Sequence, residues 1–243
     1  ASLIKDRGLR MKLRIMTYNI HSGRDAWGRL DLAAIGEFIR TLNPDILALN
    51  EVRMGTSDVN GDEQARTLAA QLGMHWTFAP AIPYLGGQYG IAVLSRFPIV
   101  RTDFWPVKPV PVEQREKYYE DRVLLRALVD AGRPVAVYTS HYGLSNAERV
   151  NAVDLTLKHL KDETIPAVFM GDLNMEPDDP LIARLKTEMT DSAEGRSFLT
   201  FSADKPEIRI DYLFLRGPFR VLNAFAPTST VSDHLPHVTD VEL

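Results

Sequence analysis

Ala167-Val168-Phe169-Met170-Gly171-Asp172-Leu173-Asn174 is an apolar run of strand length that breaks off into an acid and an amide. An acid at the edge of such a run is costly to desolvate without a partner and would otherwise protonate, so it implies a cation, a phosphate or a hydrogen-bonding neighbour. Ser232-Asp233-His234-Leu235-Pro236 sets an acid and an imidazole beside apolar residues in the same way. Three more short runs end in polar residues: Leu13 to Tyr18 at Asn19, Asp45 to Leu49 at Asn50-Glu51, and Val135 to Thr139 at Ser140-His141. Their composition suits a sheet. Ligands gather beyond the carboxyl ends of strands in sheets covered by helices, so Asn19, Glu51, His141 and the pair Asp172/Asn174 are expected on one rim.

Helical signals alternate with these strands. Asp31 is a cap for a helix with Leu32, Ile35, Phe38, Ile39 and Leu42 on its apolar face, halted at Asn43-Pro44. A second helix is read from Asp62 to Gly73, a residue suited to the left-handed cap. Ser145 and Glu148 have capping-box spacing ahead of Val150, Val153, Leu157 and Leu160, and Asp179-Pro180 opens a fourth helix. Further strands are read over residues 90–95, 123–129 and 208–214; in the last, alternation puts Asp211 on the face of Leu213 and Leu215. At least eight strands and four helices are too many strands for one alternating unit and imply two packed sheets. Trp105 to Asp121 lacks a clear period and reads equally as a solvated crossover or as a substrate-recognition loop.

With 243 residues, 45% hydrophobic and 25% charged, the chain has the material for one large soluble domain, read over residues 11–243. Residues 1–10 read as an N-terminal extension with Met11 as a candidate start. The apolar runs are too short to span a bilayer. The expected compartment is the cytoplasm, with secretion open if a leader has been removed. A net charge of −4 does not advertise a nucleic-acid binder, though a local basic groove stays open. The absence of cysteine excludes disulfides, thiolate zinc sites and a cysteine nucleophile, leaving oxygen and imidazole as metal donors.

Met16-Thr17-Tyr18-Asn19-Ile20-His21, Leu49-Asn50-Glu51-Val52-Arg53, Tyr89-Gly90 through Pro98, Ser140-His141, Gly171-Asp172-Leu173-Asn174, Ile210-Asp211-Tyr212 and Ser232 to Pro236 resemble, in order and over nearly the whole chain, the endonuclease/exonuclease/phosphatase superfamily, also called deoxyribonuclease-I-like. The resemblance implies an α+β fold, a four-layer α/β/β/α sandwich of two packed mixed sheets flanked by helices, and magnesium-dependent cleavage of phosphoester bonds, with manganese as an alternative ion. It implies metal binding at Glu51, with Asn19 and Asp233 completing or supporting the site. It makes Asp172 the base that readies water and Asn174 a donor to a phosphate oxygen. His141 and His234 become phosphate contacts, Asp211 the partner of the His234 ring, and Arg53, Arg122 and Tyr89 phosphate-side residues. Taken singly, each has a plainer alternative: an Asx turn for Asp172, a capped core histidine for His141, a surface ion pair for either arginine. Two positions depart from the family pattern: Asn50 stands where glutamine is usual, and Ile91 where relatives often carry asparagine.

The expected substrate is a phosphodiester, with nucleic acid and small or lipid diesters both open. A phosphomonoester, or a silent binding role on the same scaffold, is the alternative; fold does not choose among them.

Overall fold

The computed structural model describes residues 10–243, so the extension read over residues 1–10 lies outside the described residues except for Arg10, which pairs with Glu242 at 2.9 Å. The strands, in chain order, are β1 (Lys12–Asn19), β2 (Ile46–Met54), β3 (His75–Tyr84), β4 (Gly87–Ser95), β5 (Ile99–Pro106), β6 (Val123–Asp130), β7 (Pro134–Ser140), β8 (Ala167–Asp172), β9 (Thr190–Asp191), β10 (Asp211–Arg216), β11 (Arg220–Phe225) and β12 (His237–Glu242). The helices are α1 (Leu32–Leu42), α2 (Gln64–Leu72), α3 (Asn146–Lys161) and α4 (Pro180–Leu185). No helix among the described residues is long and apolar enough to cross a membrane.

The strands form two six-stranded sheets, ordered β11-β12-β1-β2-β4-β3 and β5-β6-β7-β8-β10-β9. Each is mixed: β1 pairs β2 and β7 pairs β8 in parallel, while neighbouring pairs such as β1–β12 and β8–β10 run antiparallel. Side-chain alternation builds the layers. In β1, Ile15 points between the sheets to meet Ile46, Val93, Leu125 and Val137, while Met16 and Tyr18 point outward to Ile35, Ile39 and Leu68 of α1 and α2. On the other sheet, Tyr138, Phe169 and Phe214 point outward to Val153 and Leu157 of α3 and Ile182 of α4. This is the four-layer sandwich expected from the sequence.

Local signals hold at most helix ends. Asp31 accepts from the Ala34 amide, Asn43 and Gly73 take left-handed C-caps, and Ser145 with Glu148 closes a full capping box. Asp179 caps α4 ahead of Pro180. The second helix starts at Gln64, two residues later than read, because Asp62 and Glu63 hold the turn after β2. The strands not read from sequence include the edge elements β3, β5 and β11, whose exposed faces blur the apolar alternation.

His237, at the start of β12, lies fully buried beneath the site. One ring nitrogen meets the Asp211 carbonyl at 3.2 Å and the other the Ser192 hydroxyl at 3.0 Å. Burial, reinforced by Arg209 and opposed by Asp191, pulls its pKa down to about 4. Between that value and the ordinary histidine value the unfolded chain takes up a proton that the folded one refuses, so stability falls as pH drops through this window. Removing the titrating group, as in His237→Gln, is expected to flatten the acid limb by about 3 kcal/mol across that window. Urea unfolding at pH 7 and pH 4.5 checks it; parallel pH dependence in both proteins would contradict the assignment.

Candidate active site

Five chain segments meet at one end of the two sheets. β1 ends at Asn19, β7 at Ser140 just before His141, and β8 at Asp172; β10 begins at Asp211, opposite Asp172 in the ladder. Strand β2 differs from the expectation. It continues through Asn50 and Glu51 to Met54, and Glu51 sits at a register shift between Leu49 and Val52 with φ of 56°. A bulge with a left-handed non-glycine residue stores strain and re-aims a side chain. Here it brings Glu51 within reach of Asn19 while the strand runs on.

Asn50 ties the sheets together from the neighbouring position. Its Oδ1 accepts the Asp172 amide at 2.7 Å and its Nδ2 donates to the Ser140 carbonyl at 3.4 Å. The approach is close enough that Gly171, at φ of 151°, has no room for a side chain: a Cβ there would lie 2.0 Å from the Ser140 carbonyl oxygen. The shorter amide at position 50 thus spans two sheets, and Gly171 is what lets it.

Asp172 is the hub. Its Oδ2 accepts from Asn19 Nδ2 at 3.1 Å and lies 3.4 Å from His141 Nε2 and 3.5 Å from His234 Nε2. Its Oδ1 accepts the Asn174 amide at 3.0 Å. Burial alone would favour the protonated acid, but His234, His141 and Asn19 outweigh it and hold the carboxyl well below the usual carboxylate range. His234 shows the converse. Burial works against its charge, yet Asp211, whose Oδ2 is 2.9 Å from Nδ1, and Asp172 keep the proton, and its pKa is pushed up to about 10. It is an imidazolium at neutral pH.

The tautomer of His141 follows from its other neighbour. Arg122 Nη1 stands 3.0 Å from His141 Nδ1, and a guanidinium donates without accepting. Nδ1 is therefore the acceptor, and Nε2 carries the hydrogen that points toward Asp172. Arg122 is buried, pairs with Glu120 at 3.2 Å, and leaves its Nε without a partner. Arg53 packs its guanidinium over Tyr84 at 4.0 Å and Tyr89 at 4.4 Å, and its buried Nε lies 3.5 Å from Asp58 Oδ2. Asn174, held at φ of 51°, turns its Nδ2 to the Tyr142 carbonyl at 2.9 Å and toward His141 at 3.4 Å.

Two donor sets deserve a test for a cation. Asp172, Asp211 and His234 offer three atoms within 4.8 Å of one another. With Nδ1 bonded to Asp211 and the ring protonated, His234 has no lone pair to give, so this trio reads as an acid–imidazolium–acid chain. Glu51 and Asp233 differ. Asn19 Nδ2 donates to Glu51 Oε1 at 3.0 Å, and His21 Nδ1 lies 3.8 Å from Asp233 Oδ1. Burial above all, with smaller contributions from Glu51 and Asp172, pushes the Asp233 carboxyl upward against the opposing pull of His234. Such all-oxygen donors suit a hard divalent cation. Asn19 Oδ1 accepts the His21 amide at 3.0 Å while Nδ2 faces the carboxylates. Asn19 thus orients Glu51 and Asp172 in this arrangement.

All eleven residues singled out from sequence lie at this end of the sandwich, and nearly all line or directly support a cleft of about 880 Å³. Tyr118 and Glu120, from the stretch with no clear period, line it too. Arg149 was missed. From the first turn of α3 its Nη1 donates to the Asn174 carbonyl at 2.7 Å, clamping the residue that holds Asp172, and its Nε is buried without a partner. The signal was there: a capping box four residues after His141 starts α3 at the rim, with Arg149 on its first turn.

The model of the Endonuclease/Exonuclease/phosphatase family matches residues 16–234. No curated protein matches the chain. Among similar solved structures is an endonuclease/exonuclease/phosphatase from Beutenbergia cavernae DSM 12333, with a TM-score of 0.79 at 24% identity over 96% of this chain and 72% of that one. A mannosyl-6-phosphatase from Bacteroides thetaiotaomicron VPI-5482 gives 0.77 at 19% identity over 94% and 99%. ANGEL2, a 2′,3′-cyclic phosphatase, gives 0.70 at 17% over 96% and 96%. At these identities the likeness is one of fold.

Proposed function

Because this chain belongs to the endonuclease/exonuclease/phosphatase family, whose members hydrolyse phosphoester bonds, we propose that it is a divalent-cation-dependent phosphoesterase in which water attacks phosphorus directly. The observation that carries this reading is the position of Asp172, an ionised carboxylate wedged between two imidazoles and joined through Asn19 to Glu51.

Glu51 and Asp233 are the residues that would hold the ion. Bound there, magnesium or manganese supplies Lewis-acid polarisation of the phosphoryl group and positive charge for the leaving oxygen. The remaining chemistry belongs to the chain. Asp172 accepts the proton of the attacking water, its lone pairs aimed by the Asn19 and Asn174 donors. His234 offers a proton on Nε2 to a phosphoryl oxygen and stays charged because Asp211 holds Nδ1. His141 donates from Nε2, its tautomer set by Arg122. Arg122 supplies a buried guanidinium nitrogen without a hydrogen-bond partner, and Arg53, held by Asp58, lines the same cleft, so both guanidinium groups are fixed before a tetrahedral oxyanion forms. Tyr89, stacked beneath Arg53, sets the angle of that guanidinium.

A phosphodiester is the substrate proposed first. A second reading, phosphomonoester hydrolysis, is supported by the convergence of Arg53, Arg122 and His234 on one cleft, where their donors can meet all the oxygens of a phosphate dianion. Hydrolysis of bis-p-nitrophenyl phosphate and of p-nitrophenyl phosphate, with magnesium or manganese and with chelator, tests both. Release of nitrophenol that chelation abolishes and added metal restores is expected, and the preferred ester separates the two readings. Turnover that survives chelation and exhaustive dialysis would contradict the proposal.

A further inference from the structure

Asp172 and His141 stand just beyond the ladder that joins their strands. The parallel pairing of β7 with β8 ends at Thr139 and Met170, two residues short of each side chain. Past that point one backbone bond, from the Tyr142 amide to the Asp172 carbonyl at 3.0 Å, joins the two loops. The rest of the connection runs through α3. Its start is fixed by the capping box, in which the Ser145 amide donates to Glu148 Oε2 at 3.0 Å. From there the helix holds both loops. The Tyr142 hydroxyl, one residue after His141, meets Thr156 Oγ1 at 2.7 Å, and Arg149 Nη1 donates to the Asn174 carbonyl at 2.7 Å.

The two ties meet at Asn174. Its amide donates to Asp172 Oδ1 at 3.0 Å, and its Nδ2 donates to the Tyr142 carbonyl at 2.9 Å while standing 3.4 Å from His141 Nε2. It makes these bonds at φ of 51°, a left-handed conformation that a residue other than glycine keeps only where its surroundings fix it. The amide and side chain of Asn174 are turned to the site, so the hold from the helix layer comes through its carbonyl and Arg149. Arg149 is also no ordinary surface charge. Its side chain is 20% exposed, and its ion-pair partner Asp179 lies 3.9 Å away and already caps α4. Its Nε is buried without a hydrogen-bond partner, which is costly. The guanidinium owes its place to the Asn174 carbonyl more than to charge pairing.

We infer that Arg149 is a positioning residue for the reaction: acting through Asn174, it fixes the Asp172 carboxylate against His141. The inference rests on the phosphoesterase reading above and adds to it a residue from the helix layer. A catalytic group displaced by about 1 Å can cost on the order of a hundredfold in rate, so a single clamp of this kind has a large effect without any contact to the substrate.

Arg149→Met keeps the length of the side chain and removes its donors; Arg149→Lys returns one donor on a flexible stem. With saturating manganese, Arg149→Met is expected to lose at least about thirtyfold in kcat with KM within about threefold of the parent, and Arg149→Lys to recover part of that loss. In the metal-free proteins, NMR is expected to show hydrogen exchange of the Asn174 amide about tenfold faster in Arg149→Met, with the amides of β8 unchanged. If Arg149→Met does not fold, Arg149→Lys carries both measurements: a kcat severalfold below the parent with faster Asn174 exchange supports the inference, and parent values on both counts overturn it. A kcat within threefold of the parent in Arg149→Met, a rise in KM at unchanged kcat, or unchanged Asn174 exchange would overturn the inference while leaving the phosphoesterase reading intact. A parent inactive on both bis-p-nitrophenyl phosphate and p-nitrophenyl phosphate would overturn that reading, and the role in reaction with it.

Discussion

Asp172→Asn is expected to lower kcat roughly a thousandfold while leaving the fold in place. The carboxylate is a hub for three donors on one oxygen and a fourth on the other, and an amide of the same shape satisfies this arrangement poorly. If its nitrogen takes the place of Oδ2, it faces Asn19 Nδ2 and the Nε2 hydrogens of both histidines. If its oxygen stays, the site still loses the charge that receives the water's proton. A second readout separates lost chemistry from a collapsed site. His234 owes its raised pKa to Asp211 first and Asp172 next, so in the metal-free variant its imidazole is expected to titrate below about 10 by NMR. The sign for stability follows. The His234 charge contributes in full below the ordinary histidine value and is lost as pH rises through the raised one, so the variant gives up part of this contribution at neutral pH. A kcat within threefold of the parent would remove Asp172 from the reaction.

Glu51→Gln is expected to weaken divalent-cation binding at least about a hundredfold and to lower activity in step at limiting metal. Glutamine keeps the volume and the Asn19 neighbour but withdraws one of the two carboxylates proposed to hold the ion. Because Glu51 already sits in a left-handed conformation, the strain of the bulge is the same in both proteins. Isothermal titration with manganese reads the affinity directly, and raising the metal concentration is expected to restore part of the rate. Unchanged manganese affinity would move the ion away from the Glu51 side of the cleft.

Much of this was legible because the information is local. Capping residues such as Ser145 and Asp179 need only their own next turn, and the alternation in β1 needs only the period of a strand. The placing of Asp211 on the inter-sheet face came from the same alternation, and its ladder position opposite Asp172 puts His234 between two acids. What escaped the sequence depends on contacts between distant segments. The bulge at Glu51 is set by how β2 meets β4, and the bridge from Asn50 to Ser140 and Asp172 crosses from one sheet to the other. The amide orientation of Asn19 is settled by the His21 backbone and by an acid 153 positions away. Arg149 was passed over because an arginine in a first helical turn looks like an ordinary surface charge until the helix is known to start at the cleft.

The centre of the account is that water, readied by Asp172, displaces the leaving oxygen in one step with no bond between phosphorus and the enzyme. Hydrolysis of a phosphorothioate diester chiral at phosphorus, run in oxygen-18 water with the activating metal, reads this directly. Inversion of configuration is the result the account expects. Retention would require two displacements, and with them a covalent phosphoryl-enzyme for which Asp172, His141 or His234 would have to serve as nucleophile, contradicting the roles assigned to them here.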